Sequence, residues 1–300
     1  MPVTVTPVLY EGRQAVELLT PALRLVALYE YGPRLAFFGR PGGDNLLFWN
    51  PDLPGRGEWK LRGGHRVWVT RPLGDEGEET YRPDNQPAEF SAQPDGFALT
   101  GARDPFNGTR RGLSVRVLGD AALAVDNFVR NDNDVLYSGG VWALTCTLPR
   151  AGTRYGVPVG DGATWDAFHM VFFRTWAGHD GVLQDPQFSF VNDVLVVDPQ
   201  GKENKRMLQA PRGIMAMSCP ARGLTFAKRT GWERNGIYPN GTNVAFYIGP
   251  GNFMVELETM GAEVTLKPGE TAHNVETWVL RDGATDLDHA EKLVDLFAGL

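Results

Sequence analysis

Glycine and proline break this chain into short segments about every ten residues, and most of those segments read as β-strands. There are 36 glycines and 21 prolines in 300 residues. This punctuation is the pattern of a sandwich or barrel. Candidate strands include PVTVTPVLY, LRLVALYEY, HRVWVT, LAVDNFVRN, VWALTCTL, GIMAMSC, VAFYIG, FMVELETM and HNVETWVLR. RPGGDN, NDND, DPQGKEN, NGTN and KPGE supply hairpin-type turns between several strands. Only the C-terminal TDLDHAEKLVDLFAGL reads as a helix, with Thr285 as N-cap and Leu287, Ala290, Leu293, Val294 and Phe297 at helical spacing. The expectation is an all-β chain. It forms a large antiparallel two-sheet β-sandwich with a short C-terminal helix, as one domain over residues 1–300.

The overall balance excludes several function classes. Apolar residues make up 42 %, enough for a sizeable core, and the net charge is −7. No basic stripe is present to neutralise phosphates, so no nucleic-acid partner is expected. No apolar run reaches the ~20 residues that span a bilayer, and the N-terminus has no signal-peptide pattern. The expectation is a cytoplasmic protein with no membrane partner. Cys146 and Cys219 sit in apolar strand contexts and are expected to be buried free thiols.

One strand carries charge where a core strand should not. In FMVELETM, pleat alternation sends Phe253, Val255, Leu257 and Thr259 to one face. Met254, Glu256, Glu258 and Met260 go to the other. The second face is either a solvated surface or a partly covered cleft. In a cleft a carboxylate has a raised pKa and can act as a general base. The flanking methionines argue for the cleft.

A second anchor is KLRGGHRVWVTRP. Two glycines before a strand let its backbone approach another element or a ligand closely. Alternation then puts His65, Val67 and Val69 on one face and Arg66, Trp68 and Thr70 on the other. His65 is either a structural histidine or a ligand-binding one.

These segments resemble the galactose mutarotase-like superfamily. FMVELETM followed by GAEVTLKPGETAHNVETWVL is similar to its C-terminal hairpin, and LVALYEYGPRLAFFGRPGGDNLLFW to its opening hairpin. The resemblance extends over most of the chain and implies a supersandwich fold. It makes Glu258, in Leu257-Glu258-Thr259, the general base of an aldose 1-epimerase-like reaction. It also implies sugar-binding roles for His65 or Arg66, and places a Tyr-Pro-Asn-Gly loop with Tyr238 and Asn240 beside the cleft. The chain departs from aldose 1-epimerases at NDNDVLYSGGVWALT, where Gly140-Val141-Trp142 stands in place of the histidine that protonates the ring oxygen. His65, His169 and His179 are the candidate replacements.

Sugar sites pair aromatic platforms with polar groups that fix hydroxyls. Trp68 and Trp142 are candidate platforms, with Arg66, Arg71, Tyr238, Asn240 and Glu256 as candidate polar contacts. Arg66, Arg71, Arg110 and Arg111 are also candidates to hold an anionic sugar derivative. The five histidines show no metal-ligand spacing, and no phosphate loop or Gly-x-Ser-x-Gly elbow occurs. Glu256 and Glu258 share one face of one strand, which does not suit the opposed carboxylates of a glycosidase. The reading is a sugar mutarotase working by acid/base catalysis, with Glu258 and His65 catalytic and no metal or cofactor. The alternative is a non-catalytic carbohydrate-binding protein on the same fold.

Overall fold

The computed structural model describes residues 3–53, 60–71, 81–159, 170–171, 175–176, 179–180 and 184–300. Among these, two ten-stranded antiparallel sheets pack face to face. The first runs, edge to edge, through Thr4–Tyr10, Arg13–Leu19, Arg24–Leu28, Arg34–Gly39, His65–Val69, Val141–Thr147, Val255–Met260, Val244–Ile248, Asn204–Leu208 and Met170–Val171. The second runs through Phe188–Val191, Val194–Val197, Arg154–Pro158, Ile214–Cys219, Leu224–Thr230, Thr271–Asp282, Ala122–Asn131, Thr109–Gly119, Gly96–Arg103 and Glu89–Gln93.

The main core lies between the sheets. Val67, Val69, Phe246, Val255 and Leu257 come from the first sheet and meet Leu113, Val125, Phe226, Trp278 and Leu280 from the second. Phe38, Phe226 and Trp278 form mutual edge-to-face contacts at centroid distances of 5.1–5.3 Å. The strand Val255–Met260 is seventh in its sheet, and every residue in it is buried.

The helix is shorter than its sequence pattern implies, spanning Ala290–Asp295 with His289 as N-cap. Thr285 is tied to the second sheet instead. Its N–H donates to Thr225 Oγ1 and its carbonyl accepts from Ser218 Oγ. Those bonds hold the backbone out of helical conformation. Leu287, Ala290, Leu293, Leu296 and Phe297 cover Val194, Val196, Ala216 and Val279 on the outer face of the second sheet.

The first sheet has its own outer cluster: Trp68, Trp142, Leu144, Met207, Ala245 and Met260. The strand that carries Trp68 is seated by two glycines in left-handed conformation. A Cβ at Gly63 would lie 2.2 Å from the Phe48 carbonyl oxygen, and one at Gly64 would lie 2.4 Å from that of Leu35.

Candidate functional site

The pleat and register of five strands build this outer face row by row. Across the first row stand Arg66, Leu144, Glu258 and Ala245, and across the next Cys146, Glu256, Tyr247 and Lys205. Trp68, Trp142 and Met260 form a third. Charged side chains thus occupy the middle of a ten-stranded sheet, where each must be paired to be tolerated.

Glu258 has no exposed surface. Its Oε2 accepts hydrogen bonds from Trp142 Nε1 and Lys205 Nζ, both at 2.9 Å. Its Oε1 is buried and has no hydrogen-bond partner among the described residues. Burial raises the carboxyl's pKa above the ordinary carboxylate range. The Lys205 ammonium pulls against that rise, and the neighbouring Glu256 charge adds to it. The Lys205 ammonium also lies 4.9 Å from the centre of the Trp142 ring.

Glu256 belongs to a second charged group, with Arg66 and Cys146. Its Oε1 accepts from Arg66 Nη2 at 2.9 Å and from the Cys146 thiol at 3.1 Å. Arg66 Nη1 donates to the same sulfur at 3.0 Å. Burial works against the Arg66 charge, but Cys146, Glu256 and Asp84 more than offset it and raise its pKa. Burial pushes the Cys146 thiol up as well. The Arg66 guanidinium lies 4.5 Å over the Trp68 ring, whose Nε1 donates to Asp84 Oδ2 at 2.6 Å. Trp68 stacks on Tyr81 at 3.8 Å and meets Trp142 edge-on at 5.3 Å.

Of the residues singled out from sequence, Arg66, Trp68, Trp142, Glu256 and Glu258 converge on this face. Asn240, at φ 52°, reaches its margin through an Nδ2 contact of 3.9 Å to Met207 Sδ. Tyr238 is buried next to it, stacked on Trp232 at 4.4 Å, and its hydroxyl accepts from the Glu233 N–H. Arg71 is largely exposed and paired with Glu263 at 2.5 Å, apart from the cluster. The other candidate anion-binding arginines are also paired: Arg110 with Asp132 at 2.9 Å and Arg111 with Asp104 at 2.5 Å. His169 lies outside the described residues, as does the side chain of His179.

His65 faces the other way, into the core between the sheets. Its Nε2 lies 2.7 Å from Asn127 Oδ1, and its Nδ1 lies 2.9 Å from Thr145 Oγ1. The surrounding bonds fix its tautomer. Asn127 Nδ2 donates to the Asn274 carbonyl, so its Oδ1 is the acceptor and Nε2 carries the proton. Lys228 Nζ donates to Thr145 Oγ1, so the Thr145 hydroxyl is free to donate to Nδ1. Burial lowers the imidazole pKa to about 4, so it is neutral at pH 7. This imidazole stands on the opposite face of the sheet from Glu258, in a network completed by Lys228, Glu276 and Trp278. The geometry therefore does not support pairing it with Glu258 as the acid.

Sequence reasoning passed over Lys205, Cys146, Asp84 and Tyr247. Lys205 has the weakest signal: only once NKRML is known to be a strand does alternation put Lys205 and Met207 on one face. Cys146 could have been found from VWALTCT, where it shares a face with Trp142 and Leu144. Among the described residues, no three His, Cys, Asp or Glu side chains converge as a metal site, and no helix is long and apolar enough to cross a membrane.

No protein-family model matches the chain, and no curated protein matches it by sequence. Solved structures do share its fold. A galactose mutarotase-like protein from Lactobacillus casei superposes with a TM-score of 0.63 at 11 % identity, covering 89 % of this chain and 100 % of that one. A candidate aldose 1-epimerase from Escherichia coli K12 superposes with a TM-score of 0.59 at 13 % identity, covering 94 % and 100 %. A TPR-domain containing protein from Parabacteroides distasonis gives 0.62 at 13 % identity, over 92 % of this chain. The chain spans about half the length of that protein, 48 % of it. The architecture is that of the galactose mutarotase-like structures.

Proposed function

We propose that this protein binds a neutral aldose against the outer face of its first sheet and interconverts the sugar's anomers. The observation that carries the reading is Glu258 Oε1, a buried carboxylate oxygen with no hydrogen-bond partner among the described residues, set beside Trp142. An unpaired buried acceptor of this kind is costly unless a ligand donor meets it. The anomeric hydroxyl is such a donor. Trp142, the more exposed of the two tryptophans at 9 %, is the ring nearest Glu258 that could meet the C–H face of a pyranose, while Trp68 lies beneath Arg66 and Tyr81.

In the reaction, Glu258 takes the proton of the anomeric hydroxyl as the bond from the anomeric carbon to the ring oxygen opens. The open-chain aldehyde rotates, and closure on the other face gives the other anomer. Burial of Glu258 raises its proton affinity and so strengthens it as a base. The pairing of Arg66, Arg71, Arg110 and Arg111 with carboxylates favours a neutral sugar over a phosphorylated or acidic one.

The second reading is a sugar-binding protein without catalysis. It is favoured by the position of His65 on the opposite face and by the glycine-led Gly140-Val141-Trp142 where aldose 1-epimerases carry their acid. Polarimetry on freshly dissolved aldoses, run beside calorimetric titration, separates the two. Faster mutarotation that Glu258→Gln abolishes supports the enzyme. Heat of binding with a buffer-like rate supports the binder, and neither signal with any neutral aldose counts against both.

A further inference from the structure

We propose that Lys205 is the general acid, delivering its ammonium proton to the ring oxygen while Glu258 takes the proton of the anomeric hydroxyl. This rests on the mutarotase reading of the Glu258 face. The two oxygens that exchange protons in anomer interconversion are bonded to the same carbon. An acid and a base that serve both must therefore stand side by side. Lys205 Nζ and Glu258 Oε2 are 2.9 Å apart, on neighbouring rows of the same face.

The other candidate acids are out of reach or unsuited to the task. His65 is on the opposite face, and its imidazole is already bonded at both nitrogens. His273 is exposed and paired with Asp126, and His289 lies beside Asn192 at the start of the helix. The Cys146 thiol donates to Glu256, and burial raises its affinity for that proton. The Arg66 guanidinium is held charged by Cys146, Glu256 and Asp84 despite its burial. The Trp142 indole does not ionise in water. Among the described residues this leaves the Lys205 ammonium as the ionisable donor in contact with Glu258.

The proton balance closes within the pair. On opening, the bond between the anomeric carbon and the ring oxygen breaks, and its electrons go to the ring oxygen, which takes a proton from Lys205. The anomeric oxygen becomes a carbonyl and gives its proton to Glu258. Lysine is then neutral and glutamate protonated. Ring closure returns both protons. An ion pair thus becomes a neutral pair and back again, and no uncompensated charge forms in a site where Lys205 and Glu258 are both buried.

The test uses Lys205→Arg and Lys205→Gln in the full chain, with near-UV circular dichroism to verify folding. Arginine keeps the charge beside Glu258 but does not release its proton. Anomer exchange and sugar affinity are read together by NMR on one neutral aldose that wild type accelerates. The expected result is exchange reduced about 100-fold or more in the folded arginine variant, with binding changed only a few-fold. The folded glutamine variant is expected to lose exchange to the same extent. Wild-type exchange in either folded variant overturns the assignment. If wild type accelerates exchange of no aldose, the mutarotase reading fails and the assignment with it. That failure is recognised because wild type, the variants and buffer then give one rate.

Discussion

His65 and Glu258 belong to the same sheet, two strands apart, and their side chains leave it on opposite faces. The imidazole is bonded to Asn127 of the second sheet, and the carboxylate to Trp142 and Lys205 on the outside. One residue ties the sheets together and the other is buried on the outer face of the first sheet. Two predictions separate these roles.

Replacing His65 with alanine leaves Asn127 Oδ1 and the Thr145 hydroxyl without this partner in the core between the sheets. Unfolding in urea is expected to show a loss of about 2–4 kcal/mol, combining unmet hydrogen bonds and a cavity. Anomer exchange by the folded fraction is expected to stay within a few-fold of wild type. A complete loss of exchange in folded His65→Ala would return this histidine to the chemistry.

Acid should destabilise the fold through the same residue. Burial lowers the His65 pKa to about 4 from an ordinary value of 6.5, so the unfolded chain binds the proton more tightly than the folded one. The stabilising effect of the neutral imidazole is full above pH 6.5 and is lost as pH falls from there to 4. The linked loss is about 3 kcal/mol across that window. Asp132 adds a second loss at lower pH. Its bond to Arg130 depresses its pKa to about 2, and the benefit fades as pH falls from 3.8 toward that value. Denaturation midpoints measured from pH 7 to pH 3.5 check the first window. His65→Gln should flatten it.

The pleat of single strands was readable without coordinates. Alternation in VELETM and in HRVWV sorted every residue to the face it occupies, and Gly63-Gly64 marked a close backbone approach whose partners, Phe48 and Leu35, only the structure names. What alternation does not carry is the identity of neighbours across the sheet. Lys205 meets Glu258 only because Asn204–Leu208 pairs with Val244–Ile248, which pairs in turn with Val255–Met260. That first strand opens Asn-Lys-Arg and follows a turn-rich stretch, so its local pattern reads as loop. Asp84 meets Arg66 and Trp68 from a short 3-10 helix that no periodicity marks. The family resemblance placed His65 or Arg66 in the site without choosing between them, and because neighbours in a strand point apart, only Arg66 reaches the face of Glu258.

The Arg66–Glu256 pair should behave as a buried pair does. Arg66→Met alone leaves Glu256 buried with only the Cys146 thiol, and is expected to cost about 3–5 kcal/mol. The double variant Arg66→Met, Glu256→Met removes both charges and should recover most of that loss. A double-mutant cycle by chemical denaturation measures the difference. Additive losses would mean the two side chains are energetically independent.

Tyr81 stacks on Trp68 at 3.8 Å, occupying the ring face that a pyranose would use. Tyr81→Ala is expected to make Trp68 more accessible to acrylamide quenching and to tighten sugar binding a few-fold. Unchanged quenching together with weaker binding would make Tyr81 part of the platform itself.

The most direct test of the account is the rate of anomer exchange, read by saturation-transfer NMR on a panel of free neutral aldoses, for wild type and Glu258→Gln. Exchange above the buffer rate is expected for at least one aldose, lost in the glutamine variant while the fold persists. The wild-type rate is expected to rise with pH as Glu258 ionises, with a midpoint above the ordinary carboxylate range. Accelerated exchange that survives intact in Glu258→Gln would contradict the account, because the buried carboxylate could not then be the base.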